Sequence, residues 1–274
     1  MKQKTSLGAK LVAAPYYLWA AIFIVVPVIM VAYYAFTDES GAFTLDNIMG
    51  LQNYGGTFLL SIGLALASTA ICLVIAYPFA YVMSRKKPGS QRIMMMLVML
   101  PMWMNLLIRT YSWMNILERN GIINNLLGSI GIEPIKMIGT PGAVILGMVY
   151  NYLPYMILPI YTVMSKIDTS LLESAEDLGS NSFSKLRRVI LPLSIPGVDS
   201  GITMVFVPSI YTFYISQQLG DGNIRLVGDV IENYIKLQNN NNFGSALSFV
   251  LMIFIIISMA ILNRFSEGNE EMIV

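Results

Sequence analysis

Asp199 is the residue whose place in the sequence asks most of its chemistry. It lies nine residues into an apolar stretch that starts near Ile190, about 13 Å along a helix at 1.5 Å per residue. A carboxylate at that depth costs roughly 2.5–3.5 kcal/mol to insert into a membrane and must face a partner or a wet cavity. Two readings are open. It is an ammonium site on a permeation path, or a carboxylate near the membrane boundary, solvated or hydrogen-bonded to Ser and Thr neighbours. Asn105 and Asn151 also fall inside apolar stretches, where amides hydrogen-bond across helices. Arg109 follows Arg92 by seventeen residues, about 25 Å along a helix. That puts it near a membrane face, within snorkelling reach of water.

No constellation for catalysis accompanies these residues. The 274 residues include no histidine, which removes the commonest general base and metal ligand. Cys72 is the single cysteine and lies in an apolar stretch, so no internal disulfide forms and no reactive thiol is expected. The patterns G-x-x-x-x-G-K-[ST], H-E-x-x-H and G-x-S-x-G are absent, so the chain has no Walker cradle for nucleotide phosphates. No cofactor or metal site is expected on it. A net charge of +1 argues for neither nucleic acid nor a polybasic patch.

The elements that must hold these side chains are membrane helices. The chain is 55% hydrophobic and 12% charged, against about 25% charged in soluble domains. Six apolar stretches are long enough to cross a bilayer at about 20 residues each. They run at about 15–36, 58–83, 93–117, 142–164, 190–216 and 243–263. The expectation is an all-α polytopic protein with one domain at 15–264, a short segment at 1–14 and an acidic tail at 265–274. The first stretch is longer than a signal-peptide core and reads as an uncleaved span. Pro101, Pro154 and Pro208 read as packing kinks, and Pro192, Pro196 and Pro208 predict breaks or kinks in the fifth span. Gly197 and Gly201 allow close helix approach. Residues 122–130 read as a short interfacial helix, and 217–242 as a polar loop. Of 17 Lys and Arg, five (Arg109, Arg119, Lys136, Arg225 and Lys236) fall on one side, leaving twelve on the side of the N-terminus. The positive-inside rule then places both termini in the cytoplasm.

Ser170 to Pro192 is the longest polar run between two spans, and falls on that same side. Ser170 and Glu173 have the spacing of a capping box. Leu171, Leu172, Ala175 and Leu178 then line one side of a short helix, with Glu173, Glu176 and Asp177 on the other. Gly179 suits a left-handed C-cap. Ser180 or Ser182 caps a second helix over 183–190, with Lys185, Arg187 and Arg188 late in it. Pro192 marks the turn into the next span. The expected product is a helix–Gly–helix knob.

The pattern Glu173-Ser174-Ala175, three residues, Gly179, nine residues, Val189-x-Leu191-Pro192 resembles the EAA loop of bacterial ABC-importer permeases. That family has Ala where this chain has Ser174 and Ile where it has Val189. The resemblance implies a type I ABC-importer permease fold, in the bacterial inner membrane. The knob would dock on a separate ATPase homodimer, which would carry the ATP and Mg. Glu173, Ala175, Gly179, Leu191 and Pro192 would carry the coupling. A second homologous permease would complete the pathway, and an extracytoplasmic binding protein would deliver substrate. Arg109 would then have a carboxylate of the binding protein or of the second permease as a possible partner.

Further stretches narrow the resemblance. Leu100-Pro101-x-Trp103-x-Asn105, Arg109-Thr110-Tyr111-x-Trp113, Leu191-Pro192-x-x-x-Pro196-Gly197 and Gly228-Asp229 are similar to spermidine/putrescine importer permeases. Importers of iron, thiamine and phosphonates share part of them. A polyamine path needs carboxylates or carbonyls for ammonium groups and aromatic faces for cation–π contact. Its candidates are Asp199, Trp103, Tyr111, Trp113, Tyr150, Asn151, Tyr152, Tyr155, Tyr211 and Tyr214, although Tyr and Trp also gather at membrane interfaces as anchors. A small or apolar residue is usual in the family at Asp199. The rival class is a secondary transporter, which needs intramembrane acids and repeated halves. Asp199 alone is thin support for it, and no repeat is visible.

Overall fold

A long apolar run can satisfy its backbone in a membrane only by closing its own hydrogen bonds. The computed structural model accordingly shows helices throughout the spans. It describes residues 15–270, so the segment 1–14 and the last four residues lie outside the described residues. Among the described residues the sole β feature is an isolated Thr37–Phe43 bridge. Among the described residues five helices are long and apolar enough to cross a membrane, and counting one pair bent by 90° as a single span makes six.

The elements in order are α1 (Pro15–Ala35), α2 (Gly55–Ser84), α3 (Pro88–Trp103), α4 (Leu106–Leu117) and α5 (Ile122–Ser129). Next come α6 (Pro141–Met164), α7 (Thr169–Asp177), α8 (Ser182–Tyr211), α9 (Tyr214–Leu219), α10 (Val227–Glu232) and α11 (Asn241–Glu270). The expected short helix at 122–130 is α5. The expected loop at 217–242 instead carries part of α9, all of α10 and a π-helical turn over Asn233–Leu237.

Two units organise the chain. The first takes residues 15–55 with Val230–Phe254. Asp38 accepts bonds from Ser40 Oγ at 2.6 Å, Ser40 N at 2.9 Å and Ala42 N at 2.9 Å. These donors, the Ser40 hydroxyl foremost, hold its carboxyl below the usual value. Asn47 and Asn242 both donate to the Thr37 carbonyl, at 2.9 and 2.7 Å. Tyr54, Tyr234 and Phe243 pack as an aromatic trio, with a 2.6 Å bond between the two phenols.

The second unit takes Gly56–Asp229 with residues 255–270, and its centre is α6 against α8. Gly197 and Gly201 make that approach possible, as the spacing predicts. A Cβ on Gly197 would stand 2.9 Å from the Pro159 carbonyl oxygen and 3.0 Å from Ile160 Cα. One on Gly201 would meet Met156 Sδ at 2.7 Å, a flexible atom that can give way. Gly197→Leu is therefore expected to lower the melting temperature of the purified protein clearly, at a cost of about 1–3 kcal/mol of overpacking. Gly201→Ala should lower it less. Met148, Met156, Ile160 and Met164 fill the buried side of α6.

Three expectations fail in instructive ways. The third span is not one helix: α3 and α4 meet at 90°. Pro101 lies in a 3-10 turn over Leu100–Trp103, and Met104 and Asn105 are extended (ψ 144° and 134°). Asn105 does not bond across helices. Its Oδ1 accepts from Leu107 N at 2.7 Å and starts α4 as an N-cap. The turn expected at Pro192 is absent, and the chain runs as helix from Ser182 to Tyr211. A π segment over Leu186–Ile190 precedes the proline. Its wider turn relieves the clash of the proline ring with the preceding turn. Pro196 and Pro208 sit inside the helix. The helix breaks instead at Thr212 and Phe213.

Candidate functional site

The knob is built by its caps. Asp168, not Ser170, caps α7: its Oδ1 accepts from Ser170 N at 3.0 Å. The expected box fails because a carboxylate two residues earlier takes the free amide first. At the other end Gly179 has φ +78°. Gly179 N donates to Glu176 O at 2.8 Å and Ser180 N to Ala175 O at 2.9 Å. That pair of bonds is a Schellman motif. Asn181 then caps α8, accepting from Ser184 N at 2.8 Å, where Ser180 or Ser182 was expected.

Lys185 Nζ pairs with Glu176 Oε1 and ties the two knob helices together. Opposite charges nine residues apart around a glycine are the signal in the sequence for that pair. The apolar side expected on α7 splits. Leu172 packs against the buried core of α6 and α8, whereas Leu178 is 87% exposed and Leu171 is exposed too. Phe183 is exposed on the second helix. Glu173 and Gly179 are exposed and Ala175 is half-buried. Leu191 is exposed too and Pro192 half-buried; both lie past the π segment, in the continuous helix.

The second cluster lies where α4, α6 and the α8 break meet. Tyr152 OH donates to the Pro208 carbonyl at 3.4 Å. Around that ring stand Thr212, Tyr211, Tyr155 and Arg109. Tyr111 packs against Tyr214 at 6.4 Å between ring centroids, and Trp113 against Tyr150 at 5.3 Å. Trp103 is 76% exposed at the end of α3 and stands apart. Asn151 is buried, and its Nδ2 donates to Gly147 O in its own helix at 2.8 Å. The bond expected across helices is not made, and its Oδ1 has no partner.

Arg109 lies on α4, beyond the bend. The 90° break invalidates the straight-helix count from Arg92, and the residue is buried beside Tyr152. Asp199 is half-buried with Oδ2 enclosed and without a partner. Its hydroxyl neighbours do not serve it: Thr203 Oγ1 donates to the Asp199 backbone carbonyl, and Ser200 Oγ to Pro196 O. It lies nine residues below Pro208 on α8, about 13 Å, so the tyrosine cluster does not include it.

The described residues form a bundle of long apolar helices with a capped two-helix knob between α6 and the long part of α8. The family model described as "Binding-protein-dependent transport system inner membrane component" matches residues 73–268, and the chain belongs to that family. It is the membrane permease subunit of an ABC importer, a multi-pass inner-membrane protein. The chain is 38% identical over 254 residues to the spermidine/putrescine transport system permease protein PotB of Haemophilus influenzae, covering 89% of each. It is 34% identical over 245 residues to PotB of Escherichia coli, covering 86% of this chain and 89% of that protein. The Escherichia coli inner membrane ABC transporter permease protein YdcU is 27% identical, covering 81% of this chain and 75% of that protein. Among solved structures, a bacterial ABC transporter involved in alginate import shares the fold. The TM-score is 0.77 at 16% identity, with 94% of each chain covered. The same fold recurs at TM-score 0.76 and 15% identity, covering 94% and 93%, in a bacterial alginate transporter complexed with its alginate-bound periplasmic protein.

Proposed function

We propose that this permease imports spermidine and putrescine, driven by ATP hydrolysed on a separate ATPase homodimer that carries the ATP and Mg. The 38% identity to a PotB protein over 89% of each chain carries this reading. Substrate arrives on an extracytoplasmic binding protein. A second homologous permease completes the path. Both termini and the knob face the cytoplasm, in accord with the bias of basic residues. The ATPase seats the knob of residues 165–192 in a groove. The exposed Leu171, Leu178 and Phe183 supply apolar contact there, and Glu173 meets the rim. Asp199 offers its unpartnered carboxylate oxygen to an ammonium group, and the tyrosines of the α8 break offer ring faces.

The test is uptake of labelled spermidine by liposomes that hold both permeases and the ATPase, with the binding protein outside. ATP-dependent uptake is expected. In Asp199→Asn the KM for spermidine should rise about tenfold, the loss of one charge-assisted contact. An unchanged KM would remove Asp199 from the path. Absence of spermidine uptake, with ATPase activity stimulated by a binding protein loaded with another solute, would discard the polyamine.

A further inference from the structure

We propose that a cavity at the end of α6 away from the knob holds the phosphoethanolamine headgroup of a membrane lipid. The cavity has a volume of about 580 Å³ and lies between the end of α4, residues 134–138 and the end of α9. Met114, Leu117, Met137 and Ile138 form its apolar lining. Glu118, Arg119, Lys136 and Asp221 add two carboxylates and two cations. Among the described residues none of these four side chains has a hydrogen bond or an ion pair. Lys136 Cε and Asp221 Cβ lie 3.7 and 3.6 Å from one point, the Cβ position of Gly139, so a cation and a carboxylate flank that point without pairing. The walls are fastened by the fold itself. Asn124 is 2% exposed. Its Nδ2 donates to Glu118 O and to Ile135 O, each at 3.0 Å, and its Oδ1 accepts from Ile135 N at 2.8 Å. Gly139 N donates to Leu219 O at 2.8 Å. These bonds tie the end of α4 to residues 135–139, and those to α9. A site held in place before binding loses less freedom on binding.

Position and charge select the ligand. The 24 residues of α6 span about 36 Å, more than the roughly 30 Å of bilayer hydrocarbon. The knob follows the last turn of α6, and Met137 and Ile138 immediately precede its first. The cavity therefore lies at the opposite membrane boundary, at the level of lipid headgroups. A second observation places it there. Asn124 belongs to α5, whose Ile122 and Leu126 are exposed, as is Ile130 just beyond it. No charged residue falls within 120–132. An exposed aliphatic stripe of this kind suits the edge of a bilayer better than water. Phosphoethanolamine matches the charges of the lining: its phosphate meets Arg119 and Lys136, and its primary ammonium meets Glu118 and Asp221, by charge-assisted hydrogen bonds. The glycerol end of the lipid lies on the methionines and Ile138. A glycerol headgroup has no ammonium for the carboxylates, and a choline headgroup has no N–H to donate. The site is independent of the solute that the importer carries.

The experiment titrates the assembled importer, stripped of lipid in dodecylmaltoside, with dioctanoyl phosphatidylethanolamine, phosphatidylglycerol or phosphatidylcholine, or with free phosphoethanolamine, and reads the melting temperature of the permease. Phosphatidylethanolamine is expected to raise it at a concentration at least about tenfold lower than the other three, the worth of one charge-assisted contact. Arg119→Gln with Lys136→Gln should weaken that response at least about tenfold. Glu118→Gln with Asp221→Asn should weaken it as much and leave the response to phosphatidylglycerol unchanged. Asn suits the φ of +47° at position 221. Each variant is compared with its own lipid-free melting temperature, so a general loss of stability cancels. Equal responses to the three lipids, or double variants that respond like the wild type, overturn the proposal. So does an equal response to free phosphoethanolamine, which makes the ligand a soluble one. Double variants that keep the lipid response but lose affinity for the loaded binding protein also overturn it, and assign the cavity to docking. None of these readings uses spermidine, so failure of polyamine uptake leaves them intact.

Discussion

Gly179→Val is expected to cut ATP-driven uptake by the assembled importer at least about tenfold, because an L-residue forced into the left-handed region costs about 1–2 kcal/mol and a β-branched one is a marked outlier there. The space around Gly179 is open, so nothing clashes with a new side chain. The whole effect comes from φ +78°. If Val drives the residue out of that region, the bonds from Gly179 N to Glu176 O and from Ser180 N to Ala175 O are lost. The Lys185–Glu176 pair then loses its geometry, because it spans the same turn. Gly179→Asn separates conformation from size, since Asn tolerates this region far better, and it should retain most uptake. Copurification of the ATPase with each variant reports docking directly. Full uptake by the Val variant would mean that the turn does not couple the subunits.

Gly228→Ala is expected to be strongly disruptive for a single added methyl group. Its Cβ would stand 2.3 Å from the Tyr211 carbonyl oxygen and 2.9 Å from that of Thr212. Both are backbone atoms at the break of α8 and cannot rotate aside. The cost belongs at or above the upper end of the overpacking range, about 3 kcal/mol. It should appear as a lower melting temperature and a lower yield of purified permease. The displaced segment also carries Thr212 and Tyr211, which face Tyr152. A surviving variant should therefore show altered substrate KM as well as lost stability. Gly63→Ala is the control. Nothing lies within 4 Å of its Cβ position, and Ala favours a helix interior over Gly, so it should be neutral or stabilising. Equal melting temperatures for Gly228→Ala and Gly63→Ala would contradict the close approach.

The sequence by itself determined the class of architecture and the outline of the knob. Stretches of 20 apolar residues have one solution in a bilayer, and Gly179, at the end of a short amphipathic pattern, has one common use. Gly197 and Gly201 were legible for the same reason: small residues one turn apart mark close approach. These signals are local, and each is carried by residues within a few turns of one another.

What only the tertiary structure decided depends on direction and on contacts between distant residues. Hydropathy sums carry no direction, so residues 93–117 read as one span although Asn105 caps a new helix at 90° to the last. The straight-helix count from Arg92 to Arg109 lost its basis with that bend. Proline counts pointed to breaks in the fifth span at Pro192, Pro196 and Pro208. A π turn absorbed the first, and the break fell at Thr212, where Gly228 brings distant backbone against the helix end. The cap of α7 went to Asp168, and Lys185 found Glu176 across the glycine turn. At the α7 cap Asp168 and Ser170 competed for one end, and the folded chain gave it to Asp168.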